Sequence, residues 1–321
     1  MTTRRTFISR AALAAAGAAG LFLVRDRLPW PPLEARFANG RDTPWQRLPE
    51  RRGLVEIAAS VNGTPVRAVI DSGAQLTAVD AGLAARLGLG HILAAPLLAY
   101  GVSGRAHLAH TVRLDLGVPG LTVPNLRAAV LDLASVAAAS GRDFQLLIGR
   151  DVLSHVVLEA DFPMGRARLL VPGAYRPPHD AMAVPLTAGP PRASVRIEAA
   201  PPIDLLIDTG ATGFLALSEA AARDAGLTAP GRRTSQSLSV SLSGLNPETM
   251  AHAHTVALGP LKLRDVPVQV YAPAANAPSP SGLVGTGLLR QFRLALDLAN
   301  RRLYLVPPPL MVVLPTPEPK P

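Results

Sequence analysis

The sequence predicts a mainly β protein of two equivalent lobes with short helices, and three observations predict it. Residues 66–77 (V-R-A-V-I-D-S-G-A-Q-L-T) return as residues 203–213 (I-D-L-L-I-D-T-G-A-T-G), each an apolar run that ends on an aspartate, Asp71 or Asp208. Behind each aspartate the same features follow in one order: a capped helix, a glycine loop, an alternating strand, and an apolar run closed by glycine. The spacing is nearly constant, with Asp71 and Asp208 separated by 137 positions, Gly149 and Gly285 by 136, and Asp161 and Asp297 by 136. A repeat unit of about 120 residues has the size of an ordinary domain.

In chain order, residues 1–30 have the form of a twin-arginine export signal. Thr3-Arg4-Arg5-Thr6-Phe7-Ile8 precedes fourteen apolar or small residues, 11–24. That run is shorter than the about twenty residues of a bilayer span. The expectation is therefore export to the periplasm, or anchoring in the membrane facing the periplasm if the segment is left uncleaved. Residues 31–52, rich in proline and arginine, read as a linker.

The first lobe spans residues 53–172. Asn62-Gly63 between two apolar runs is a hairpin signal, because both positions tolerate positive φ, and the second arm delivers Asp71. Asp80 is placed to cap a helix with Leu83 and Leu87 on one face and Gly88 past its end. The loop 100–104 precedes the alternating strand 111–116, then strands near 126–131, 156–162 and 168–171 and the run Leu147-Ile148-Gly149-Arg150-Asp151. Residues 173–192 are crowded with prolines and read as the connection between lobes. The second lobe, 193–306, repeats the order, with Ser218 as helix cap, 241–245 as glycine loop and Gly282-Leu283-Val284-Gly285 as apolar run. The tail, 307–321, is proline-rich and expected to be extended or disordered.

Composition narrows the function. At 48% hydrophobic residues the chain can fill two cores, and 4% aromatics argue against a base-stacking surface. The net charge of +9 comes almost wholly from scattered arginines, which fits solubility better than nucleic-acid recognition. The absence of cysteine excludes disulfides, thiolate nucleophiles and cysteine metal sites. His252 and His254 alternate on one strand, but no carboxylate cluster accompanies them, so no metal site and no organic cofactor are expected.

Facing lobes would bring Asp71 and Asp208 together. Two carboxyls at hydrogen-bond distance cannot both ionise, so they share a proton and titrate as a unit. One then acts as base while the other acts as acid, the arrangement that activates water against an amide. Ser72 and Thr209 are placed to hydrogen-bond across the lobe interface, and Gly73 and Gly210 let main chain approach the carboxyls.

The motifs D-S-G-A and D-T-G-A, each followed at a distance by an apolar pair and glycine, resemble the retropepsin-like aspartic protease family. The run Gly149-Arg150-Asp151 is similar to the second family motif, and Gly285 stands at its repeat. Over roughly residues 53–306 the resemblance implies a pepsin-like, bilobal arrangement of two closed β-barrels, with Asp71 and Asp208 as catalytic dyad. It implies an aspartic endopeptidase that binds an extended peptide or protein substrate, active below neutral pH. Both half-sites lie in one chain, so a monomer is expected to suffice. Tyr100, Gly101, Gly104 and Gly244 sit where the resemblance expects substrate-covering flaps, and plain surface turns would explain them as well. The second lobe departs from the pattern, with Thr286-Gly287 after Gly285. The competing reading is a non-catalytic exported peptide- or ligand-binding module of the same fold.

Overall fold

The computed structural model describes residues 14–16, 33–49, 53–100, 106–241, 244–272 and 281–308. The expected signal and tail fall outside these residues, except for Pro307, Pro308 and the strand Ala14–Ala16, which lies parallel to Ser235–Ser241. Among the described residues no helix is long and apolar enough to cross a membrane.

Two closed six-stranded barrels follow each other along the chain. In the first, Glu56–Val61, Thr64–Ile70, Leu146–Ile148, Ala78–Asp80, Leu121–Leu131 and Ala106–Val118 form a ring that closes between the first and last strands. In the second, Arg192–Ile197, Ile203–Ile207, Gly282–Val284, Leu215–Ser218, Leu261–Tyr271 and Gly244–Leu258 repeat that ring strand for strand. The Asn62-Gly63 turn has φ of 48° and 81°, the doubly left-handed geometry that only such residues adopt cheaply. Asp80 and Ser218 cap Ala81–Arg86 and Glu219–Asp224, accepting from Leu83 N and Ala221 N.

In both barrels a three-residue strand inserts beside the arm that ends on the aspartate. Leu146–Ile148 runs parallel to Thr64–Ile70 and antiparallel to Ala78–Asp80; Gly282–Val284 does the same with Ile203–Ile207 and Leu215–Ser218. Asp71 N donates to Ile148 O and Asp208 N to Val284 O, each at 2.9 Å, so the aspartates leave their strands at equivalent points.

A six-stranded sheet joins the lobes, in the order Met182–Pro185, Arg302–Val306, Arg293–Asp297, Val157–Asp161, Arg166–Leu170, Gln46–Arg47. Its middle is the pseudo-two-fold axis, since Glu159 pairs with Ala295, its own counterpart in the repeat. One face, with Leu158, Ala160, Leu294 and Leu296, merges the cores of both barrels. On the other, the fully buried Glu159 accepts from Arg168 Nε at 2.8 Å and from the guanidinium of Arg293, one arginine from each lobe.

The joining sheet takes in two short strands from outside the expected lobes. Gln46–Arg47, inside the expected linker, pairs with Arg166–Leu170, and Met182–Pro185, inside the expected connection, pairs with Arg302–Val306. Strands this short carry no periodicity, and the partners that order them are distant in sequence. The described residues that flank the expected loops 100–104 and 241–245 lie in long paired strands. Tyr100 ends His91–Tyr100, which pairs with Ala106–Val118, and Gly244 opposes Ser241 at the tip of the second hairpin; Gly101 and Gly104 lie outside the described residues.

Candidate active site

The two aspartates meet at the lobe junction. Asp71 is 2% exposed and Asp208 fully buried, and their side chains face one another closely enough to interact directly. Ser72 and Thr209 clasp the two loops together. Thr209 Oγ1 donates to Ile70 O at 2.8 Å and accepts from Ser72 N at 3.0 Å; Ser72 Oγ donates to Ile207 O at 2.7 Å and accepts from Thr209 N at 3.0 Å. Each hydroxyl thus satisfies one donor and one acceptor of the opposite lobe, all buried.

The glycines admit the carboxyls. A Cβ on Gly210 would lie 2.6 Å from Asp71 Oδ1, so that carboxyl rests against the bare Cα. Gly73 N and Ala74 N donate to Asp71 Oδ1 at 2.8 and 3.0 Å, and Gly210 N donates to Asp208 Oδ1 at 2.9 Å. Asp208 Oδ2 is buried with no donor while both carboxyls are ionised; a proton held between the pair supplies one. Burial pushes the Asp71 carboxyl up to about 6 against the pull of its two amides. Burial, and then the charge of Asp71, push Asp208 well above the usual carboxylate range.

The residues of the second motif lie behind the aspartate loops. Gly149 allows its strand to press on the backbone of Leu76 and Thr77, where a Cβ would come within 2.6 Å of Leu76 O. Asp151, in the short helix Arg150–Leu153, receives Thr77 N at 2.9 Å and Thr77 Oγ1 at 2.8 Å, and desolvation raises its carboxyl to about 6. Arg150 N donates to Ala74 O at 2.9 Å, and its guanidinium lies near enough to Asp71 to stabilise the anion. In the second lobe Gly285 N donates to Phe214 O, Gly287 N to Gly213 O, and Thr286 Oγ1 to Ala211 O at 2.9 Å. Thr77, Phe214 and the amide of Ala74 were not singled out in the sequence; only the shared position of Thr77 and Phe214, six residues past each aspartate, could have drawn attention to them. Among the described residues no group of histidines and acids could hold a metal ion.

Twin barrels related by duplication, each presenting one carboxyl to a common buried junction, define a class of two-lobed β proteins with a shared central site. The profile of the family described as Aspartyl protease matches residues 57–152 and again residues 193–289, one copy in each lobe and more than half of the chain together. The chain therefore belongs to the retropepsin-like aspartyl protease family. Comparison with curated proteins gave no match.

Proposed function

We propose that the protein is an exported aspartic endopeptidase in which Asp71 and Asp208 form the catalytic dyad. The observation that carries this reading is the pair of buried, facing carboxyls with one oxygen, Asp208 Oδ2, awaiting a proton. A binding module of the same fold would gain nothing from two carboxyls raised at their own expense, and such perturbation is typical of groups that transfer protons.

Hydrolysis then runs with one carboxylate and one carboxylic acid. Water bonded to the carboxylate gives it a proton as its oxygen attacks the peptide carbonyl carbon, and the partner's proton passes to the carbonyl oxygen. The tetrahedral diol collapses as the C–N bond breaks. The leaving nitrogen takes the proton that the first carboxylate received, and a diol hydroxyl returns a proton to the second. The starting state is restored without cofactor or metal.

The substrate is an extended peptide or protein segment bound by strand-like hydrogen bonds, under hairpins whose tips lie near Tyr100 and Gly244. One chain supplies both halves of the site, so a monomer works alone. Twin-arginine export, with residues 1–30 removed or kept as an anchor, completes the proposal. Because burial raises Asp71 to about 6, the singly ionised dyad is populated from weakly acidic to neutral pH. Asp71→Asn and Asp208→Asn are each expected to lower turnover by on the order of 10³-fold or more with the melting temperature preserved. Undiminished turnover in either variant rejects the mechanism.

A further inference from the structure

We propose that Arg150 is a positioning residue that makes the two carboxyls unequal, holding Asp71 as the ionised member so that Asp208 carries the shared proton. The proposal rests on the dyad reading above and adds to it a division of labour: Asp71 deprotonates the water, and Asp208 protonates the carbonyl oxygen.

The lobes agree residue for residue at the aspartate, the hydroxyl, the glycine and the alanine, and they part at the position after the second-motif glycine. The first lobe has Arg150 there and the second has Thr286. Thr286 is buried, bears no charge, and spends its hydroxyl on Ala211 O. Arg150 is partly buried, and its Nε is shut away from water without a hydrogen-bond partner. The main chain holds it close to one carboxyl: Arg150 N bonds Ala74 O, and Ala74 N bonds Asp71 Oδ1. An arginine that finds no fixed hydrogen-bonding anion in such a place acts on its neighbours through its charge.

The charged groups facing it are Asp71, Arg192, Asp151 and Asp208, and Asp71 interacts with it more strongly than Asp208 does. Asp151 is already engaged by Thr77 and by Val152 N, and Arg192 repels Arg150. Hydrogen bonds lean the same way: Asp71 Oδ1 receives Gly73 N and Ala74 N, whereas Asp208 receives Gly210 N at Oδ1 and its Oδ2 lacks a donor. An anion is best held where donors and a cation converge, and a proton where an acceptor oxygen lacks a donor.

The test separates the two carboxyls. In an Asp208→Asn background Asp71 titrates alone and is followed by NMR of carboxyl-¹³C aspartate. Adding Arg150→Thr, the second lobe's own residue, or the near-isosteric Arg150→Gln is expected to raise its midpoint by about one pH unit. Arg150→Lys is expected to restore most of the shift. In an Asp71→Asn background the same changes are expected to move Asp208 less. With the dyad intact, the acid limb of kcat/KM against pH is expected to rise together with Asp71. A purely structural role would lower turnover at all pH values and leave the limb in place. An unmoved Asp71 midpoint in the neutral variants, or a larger movement of Asp208, overturns the proposal. The titration needs no turnover, so a chain that cleaves nothing would reject the protease reading and leave this result standing by itself.

Discussion

The two aspartate loops are copies at the front and different at the back. In front, Asp71-Ser72-Gly73-Ala74 and Asp208-Thr209-Gly210-Ala211 hold the same positions and exchange reciprocal hydrogen bonds. Behind, the first loop is held by a buried carboxylate on Thr77, whereas the second is held without charge, by Gly285 and Gly287 packed against the main chain of Gly213 and by hydrogen bonds from Gly285 N, Gly287 N and Thr286 Oγ1. Charge and contact thus solve one structural problem in two ways. The loop fronts that meet at the junction are alike, and their supports differ. A desolvated carboxylate costs stability as it ionises, and the packed glycines do not.

The largest way to break the equivalence is Gly210→Ala. Its methyl group would displace the Asp71 carboxyl and is expected to lower turnover by on the order of 10²-fold, since a shift of about 1 Å misaligns proton transfer. Steady-state kinetics checks this, with circular dichroism confirming the fold.

Glu159→Ala makes the first lobe match Ala295 of the second. It strips Arg168 and Arg293 of their shared anion across the joining sheet. The cost should fall below the roughly 3–5 kcal/mol of a fully buried pair, because both arginines are partly exposed. Urea unfolding measures it.

Asp151→Asn sharpens the contrast between the supports. The native carboxyl titrates near 6 against 3.8 in the unfolded chain, so its contribution is fully present below about pH 3.8 and is lost as pH rises through 6. The loss amounts to about 3 kcal/mol across that window, and the variant is expected to flatten the corresponding slope of stability against pH. Asp71 and Asp208 keep their own slopes of the same sign. Unfolding series at several pH values would show a slope unchanged from the parent if the burial of Asp151 were harmless.

The smallest effect tests the symmetric front. Ser72→Ala and Thr209→Val each leave one amide and one carbonyl of the other lobe unpaired, at about 1–3 kcal/mol apiece. Equal losses in thermal unfolding are expected, and a clear imbalance would mean that one hydroxyl carries the clasp.

Local chemistry made much of this readable in the sequence. The Asn62-Gly63 turn, the caps Asp80 and Ser218 and the twin aspartates each announce themselves within a few residues, and the constant offset ties the copies together. The remainder depends on distant partners. Nothing near Thr77 indicates that Asp151 will receive both its amide and its hydroxyl, and nothing near Glu159 indicates arginines from two lobes. Gln46–Arg47 has two residues and Met182–Pro185 four, too few to show alternation, so the joining sheet could not be read in advance.

The central claim is that the junction hydrolyses peptide bonds through a shared proton. Incubation with a random peptide library, with and without a transition-state-mimicking inhibitor of aspartic proteases, tests it most directly. Internal cleavage between weakly acidic and neutral pH that the inhibitor abolishes is the expected result. An intact library across that range, or cleavage indifferent to the inhibitor, would contradict it.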